Sequence, residues 1–278
     1  MALKLMYITN DCEIARIVED AGVDRIFLDL ETIGKQERQG GMDTVQSKHT
    51  FADICTVKQV LHRAALLVRS NPIHTGSEKE LQKIIDCGAE IVMLPYFKTV
   101  EEVEKFLSYV NGRARTMLLF ETPEAVEQVD EILQLDGIDE VFIGLNDLSL
   151  GYGKSFMFSL LADGTVERLC LKFRQKGIPY GFGGIAAIGT GTLPAEAILK
   201  EHYRLGSSSV ILSRSFCNYE KVSDRREIKK IFDQGLKAMR SKEKEIEEYS
   251  RYFFENVSLV KEKIAQIADE MEARRREG

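Results

Sequence analysis

Short apolar runs alternate with amphipathic stretches along most of this chain, and that alternation limits its possible folds more than any other feature. Strand patterns fall at residues 3–9 (LKLMYIT), 25–31 (RIFLDLE), 64–70 (AALLVRS) and 90–96 (EIVMLPY). They continue at 114–121 (ARTMLLFE), 140–147 (EVFIGLND), 178–184 (IPYGFGG) and 208–215 (SSVILSRS). Between them lie helical patterns such as EIARIVEDAG, EKELQKIIDCGA and VEEVEKFLSYV, each closing near a glycine or polar turn. Strands that alternate with helices require a parallel sheet. Eight such units in 278 residues predict a closed (β/α)8 TIM barrel. An open doubly wound sheet fits less well, because no GxGxxG follows the first strand.

The pattern changes near residue 221, where a helical, charge-dense tail begins. The expected organisation is a barrel domain over 1–220 and C-terminal helices over 221–278. Apolar content of 44% and charge of 29% describe a globular chain. A net charge of −6 and a pI near 5.5 argue against nucleic acid as the main ligand. No apolar run approaches a membrane span, and the opening MALKLMYITND reads as a first strand, which together point to a cytoplasmic protein. The five cysteines show no paired or CxxC spacing and are expected to be reduced.

In a barrel of this kind the strand carboxyl ends face one site. Asp29 and Glu31 close the second strand pattern, Arg69 the third, Glu121 the fifth and Asp147 the sixth. So many carboxylates on one face call for a countercharge. Glu121 and Asp147, from consecutive strands about 5 Å apart, would suit one Mg2+ or Mn2+ with water and substrate oxygens completing the shell. The bland alternative is that they cap helices or pair with surface lysines. A Schiff-base mechanism needs a strand lysine, and EVFIGLND has none. Residues 32–53 form a long polar connection after the second strand, expected to act as a substrate lid. GFGGIAAIGTGT at 181–192, with Ser213 and Arg214, offers a softer anion-binding signal.

The ordered set DLE (29–31), VRSNP (68–72), DCGAEIVMLP (86–95), ETPEA (121–125) and IGLNDLSLGYG (143–153) resembles the metal-dependent HpcH/HpaI aldolase and citrate lyase β-subunit family, within the phosphoenolpyruvate/pyruvate barrel superfamily. The resemblance runs from about residue 20 to 216. It implies that Glu121 and Asp147 bind Mg2+ or Mn2+, that Arg69 contacts the oxygens of a 2-oxo acid, and that backbone N–H groups near Asn146 and Asp147 receive its carboxylate. Asp29 and Glu31 join them as substrate-binding candidates. The implied activity is a metal-dependent aldolase working through a pyruvate-like enolate, with Arg69 stabilising the developing oxyanion. Two other readings remain open: a citrate-lyase-like acyl-CoA lyase and a non-catalytic keto-acid-binding barrel. The sequence departs from the family at Thr32, where aldolases of this kind often carry a catalytic histidine. His49 in the long loop and His74 after Arg69 are the candidate substitutes as general base. His62 and His202 lie in helical patterns and read as structural.

In the tail, Ile246, Tyr249, Phe253, Val257, Val260, Ile264, Ile267 and Met271 form a helical seam. A single helix of about 35 residues would run roughly 50 Å. That reach predicts packing against another subunit, hence a homo-oligomer.

Overall fold

The structure, a computed structural model, describes residues 2–34, 48–222, 224–249 and 252–277. Eight strands close into a barrel in the order β1 to β8. They are β1 (Lys4–Ile8), β2 (Arg25–Asp29), β3 (Ala65–Arg69), β4 (Ile91–Leu94), β5 (Arg115–Phe120), β6 (Glu140–Ile143), β7 (Tyr180–Ile185) and β8 (Ser209–Leu212). Helices α1 (Cys12–Ala21), α2 (Phe51–Val60), α3 (Ser77–Asp86), α4 (Val100–Val110), α5 (Pro123–Glu127) and α6 (Val129–Ile132) follow in the first part of the chain. After β6 come α7 (Leu145–Gly151), α8 (Ser159–Ala162), α9 (Thr165–Gln175), α10 (Ala195–Leu205), α11 (Arg225–Glu248) and α12 (Tyr252–Glu277). The expected TIM barrel with a C-terminal helical extension is therefore what forms. No helix among the described residues is long and apolar enough to cross a membrane.

The chain divides into two compact units, residues 6–142 and residues 1–5 with 143–278. In the first unit every residue of β2 and β4 is buried, as strands with both faces covered must be. Parallel pairing sets Asp29 level with Arg69 across β2 and β3, which places both at the strand exits. Thr50 opens α2 and Thr99 opens α4 with capping boxes to Asp53 and Glu102. At the opposite end, Arg25 is 2% exposed and donates to Glu140 at 2.6 Å. A charge that deep is tolerable only with such a partner. His62 lies just beyond α2, not inside it, with its N–H on the Glu19 carboxylate. Cys55 of α2 and Cys87 at the end of α3 form a disulfide, contrary to the expectation of five reduced thiols. Their separation of 32 residues carries no spacing signal.

In the second unit, α10 packs on β7, and its His202 is fully buried with its ring stacked on Phe182 at 3.8 Å between centroids. Nδ1 of His202 meets the Ser207 hydroxyl at 2.8 Å, while Nε2 is buried without a hydrogen-bond partner. Burial pushes this imidazole down to about 3, because charging it would strand a cation away from water. The tail is two helices, not the one expected. Tyr249 leaves helical geometry (φ −130°, ψ 78°) and stands 65% exposed, so the predicted seam is interrupted there. Helix α12 then packs against α10 and α8 of its own chain, burying Tyr252, Asn256, Val260 and Ile264. Asn256 fixes the docking by donating to the Ala197 carbonyl and to Glu201. Helix α11 ties down the amino terminus: Glu243 accepts from Leu3 N–H, and Arg240 donates to the Leu3 carbonyl.

Candidate active site

Arg69, the last residue of β3, is the centre of the site in the first unit. Its Nε and Nη2 donate to the two carboxylate oxygens of Asp29 at 2.9 and 2.8 Å, a bidentate fork. Glu31 lies 3.3 Å from the same Nη2. Burial alone would weaken the guanidinium's hold on its proton. The charges of Asp29, Glu31 and Glu121 outweigh it and raise the group well above its ordinary value. Among the described residues, Nη1 has no hydrogen-bond partner. Asp29 and Glu31, expected as substrate ligands, are the carboxylates that hold Arg69. Asp29 also accepts the N–H of Glu31.

Glu121 follows the last residue of β5 and is 4% exposed; its Oε1 accepts the N–H of Tyr96 at 3.0 Å. Thr122 and Pro123 turn the chain into α5 immediately after it. In the second unit Asp147 is 8% exposed, and Asn146 Nδ2 donates to its Oδ1 at 3.2 Å. The sequence reading carried β6 through Asp147, but the strand ends at Ile143 and Asp147 sits in the first turn of α7. Gly144 breaks the run, and Gly183 of β7 leaves room for Leu145, where a Cβ would come within 2.6 Å. Asn146 and Asp147 thus both lie in the first turn of this helix.

The two candidate bases differ. His49 accepts the N–H of Asp29 on Nδ1 at 3.0 Å, so it sits at the β2 exit and its ring proton is on Nε2. His74 accepts Gly76 N–H on Nδ1 and directs Nε2–H to Glu80, both at 2.8 Å. With both nitrogens committed, His74 has no lone pair for a substrate proton in this arrangement. It steadies Glu80, which accepts from the N–H and Nδ2 of Asn71. Asn71 in turn accepts from Thr32 N–H, the Thr32 hydroxyl and Ile33 N–H. This relay pins the first residues of the long connection after β2. Residues 35–47 of the expected lid lie outside the described residues. In the glycine-rich segment, Gly189 N–H goes to Glu196 and the Thr190 hydroxyl to the Ala187 carbonyl, so these donors are internally engaged; Arg214 is exposed.

Among the described residues, no group of three or more His, Cys, Asp or Glu could hold a metal ion. Mg2+ and Mn2+ do not need one, since one or two carboxylates with waters and substrate oxygens suffice. Glu121 and Asp147 are each, taken singly, a buried carboxylate of the hard-oxygen type such an ion takes. A separate cavity in the first unit, lined by Glu90, Asn111, Arg113, Arg115 and Asp139, lies at the amino ends of the strands. That face of a TIM barrel serves stability, not catalysis. Sequence reasoning missed Glu80, Asn71 and Tyr96, which act through backbone and loop contacts that no periodicity marks.

A parallel eight-stranded barrel with a carboxylate-clamped arginine at the end of its third strand defines this protein as a TIM-barrel protein. The chain belongs to the HpcH/HpaI aldolase/citrate lyase family, whose model matches residues 5–177. It is similar to a hydroxypyruvate/pyruvate aldolase of Sagittula stellata, 25% identical over 27% of this chain and 41% of that protein. A 2-keto-3-deoxy-L-rhamnonate aldolase of Shigella dysenteriae is 25% identical over 40% of this chain and 53% of its own length. The chain thus aligns with about half or less of these curated relatives. The fold matches the crystal structure of an HpcH/HpaI aldolase from Desulfitobacterium hafniense, with a TM-score of 0.58 and 18% identity over 82% of this chain and 93% of that one. It also matches the citrate synthase SbnG, with a TM-score of 0.60 and 16% identity over 82% and 93%.

Proposed function

We propose that this protein is a divalent-metal-dependent carbon–carbon lyase, an aldolase that cleaves or forms a hydroxy-2-oxo acid. The observation that carries the reading is Arg69, half-buried, held by Asp29 and Glu31, and left with Nη1 for a ligand. Family membership and relatives named for 2-oxo acids support it. Glu121 and Asp147 are the residues that would hold Mg2+ or Mn2+. When bound, such an ion supplies Lewis-acid withdrawal of charge from the substrate.

Arg69 binds the 2-oxo acid and stabilises negative charge on its enol oxygen as the carbon–carbon bond breaks or forms. Its fork to Asp29 keeps the guanidinium from reorganising during that step. The N–H groups of Asn146 and Asp147 receive the substrate carboxylate. His49 is proposed as the base at this strand exit; with Nδ1 accepting the Asp29 N–H its Nε2–H can donate a proton, and it can take one only once that contact opens. His74 instead holds the chain at Thr32. We further propose a cytoplasmic homo-oligomer joined through the C-terminal helix, where Phe254 (88% exposed), Leu259 and Met271 remain uncovered. Light scattering on the full chain tests the assembly, and a monomer at micromolar concentration would refute it.

The test of function is C3 proton exchange of pyruvate, and carbon–carbon bond formation between pyruvate and a panel of aldehydes, with Mg2+, Mn2+ and Co2+. Exchange that requires metal and disappears in Glu121→Gln and Asp147→Asn is the expected result. Metal-independent exchange, or wild-type Mn2+ affinity in both variants, would overturn the reading.

A further inference from the structure

Two non-glycine residues among those described adopt left-handed backbone geometry. Asn111 (φ 47°) ends α4, where asparagine in that conformation is ordinary. Tyr96, also at φ 47°, has no such excuse. It follows the strand β4 sequence IVML and Pro95, and an aromatic residue stays in that region only when its surroundings hold it there.

They do so from the residues that follow. The Phe97 carbonyl accepts the Thr122 hydroxyl at 2.7 Å, and the Phe97 ring packs edge-on against Phe120 at 5.1 Å. The Lys98 carbonyl accepts Gln128 Nε2 at 2.7 Å, Lys98 N–H donates to Glu102, and Lys98 Nζ pairs with Glu124. The turn after β4 is thereby stitched to the turn after β5. The left-handed residue inside it sends its N–H to Glu121 Oε1 at 3.0 Å. A relaxed, extended Tyr96 would turn that N–H elsewhere.

We propose that Tyr96 is a positioning residue. Its held backbone orients the Glu121 carboxylate for a divalent cation, and the ring itself is dispensable for this task. The inference rests on the reading of Glu121 as a metal ligand. Its signature is that cation affinity follows tolerance of left-handed geometry, not the presence of an aromatic ring.

Mn2+ binding is measured on the full chain by the loss of the free-ion electron paramagnetic resonance signal, with thermal melts of every variant. Tyr96→Gly and Tyr96→Asn accept the conformation and keep the N–H, so their affinity should stay within about threefold of wild type. Tyr96→Val keeps the N–H but resists the conformation, and should lose about tenfold or more, the usual scale for a supporting partner of a metal ligand. Should Tyr96→Val not fold, Gln128→Ala loosens the turn instead. It should weaken Mn2+ binding, and adding Tyr96→Gly should restore it. Equal affinity in the glycine and valine variants, loss in glycine and asparagine alike, or failure of the glycine rescue overturns the proposal. A wild-type chain that binds no Mn2+ overturns the metal reading itself, and this inference with it.

Discussion

Buried neutral, His202 makes the fold acid-sensitive well above the range where carboxylates titrate. Its imidazole is stacked on Phe182, bonded through Nδ1 to Ser207, and lacks any partner for Nε2. In the folded chain it is held down to about 3, against an ordinary value of 6.5. Above pH 6.5 both states hold it neutral, and its contribution to stability is fully present. As pH falls below 6.5 the unfolded chain takes up a proton that the folded chain refuses, and the loss continues until pH nears 3. The slope is about 1.4 kcal/mol per pH unit, so roughly 2 kcal/mol is lost between pH 6.5 and 5. For a chain of this size that is a Tm drop of roughly 4–8 °C. The comparison is with His202→Phe, which keeps an aromatic ring against Phe182 but cannot titrate. Thermal melts followed by circular dichroism at pH 8, 7, 6 and 5 should show the wild-type curve falling away from the variant's below pH 6.5. The absolute offset at pH 8 is immaterial, since it contains the repacking cost of the larger ring. A constant difference from pH 8 to 5 would refute the reasoning.

Arg69→Lys keeps the charge but loses the fork to Asp29, so kcat/KM for a 2-oxo acid should fall by about two orders of magnitude or more while the fold persists; near-normal activity would remove Arg69 from the mechanism. His49→Ala should slow pyruvate proton exchange more than His74→Ala. The His74 variant should chiefly lower thermal stability by about 1 kcal/mol, the scale of a lost hydrogen bond. The reverse ranking would restore His74 as the base. Under non-reducing denaturing conditions, thiol titration should find three free cysteines (Cys12, Cys170 and Cys217), rising to five after reduction; five before reduction contradicts the Cys55–Cys87 link.

The eight strands and their order were legible because each is a short apolar run bounded by polar turns, and parallel strands buried on both faces leave that mark. Arg69, Asp29 and Glu121 were legible for a related reason: a charge at the end of such a run must be held by something. Asp147 was misplaced because GLND reads as a continuation of EVFI, while the break depends on backbone angles at Gly144 and on space left by Gly183, forty residues further along. His74 looked available because Glu80, its partner, lies beyond a turn whose geometry sets the pairing. The tail read as a single seam because Tyr249 occupies a seam position, yet its conformation ends the helix and turns its ring to solvent. Tyr96 gave no sign at all, since its role lies in a φ angle imposed by residues on the next strand's turn.

The tie between Leu3 and Glu243 bears on how the chain is made. Residues 1–5 belong to the compact unit of residues 143–278; Lys4 N–H finds its acceptor at Ser208, and Leu3 is held on both sides by α11. At about 5–20 residues per second, a ribosome adds the intervening stretch in roughly ten to fifty seconds. For all of that time the leading segment of β1 has neither its strand partner nor its clamp. Residues 6–142 can condense as they emerge, whereas residues 1–5 must wait until α11 has been made. A nascent chain stalled short of α11 would carry an apolar LKLMY strip with one side unmatched, a natural place for premature chains to stick together.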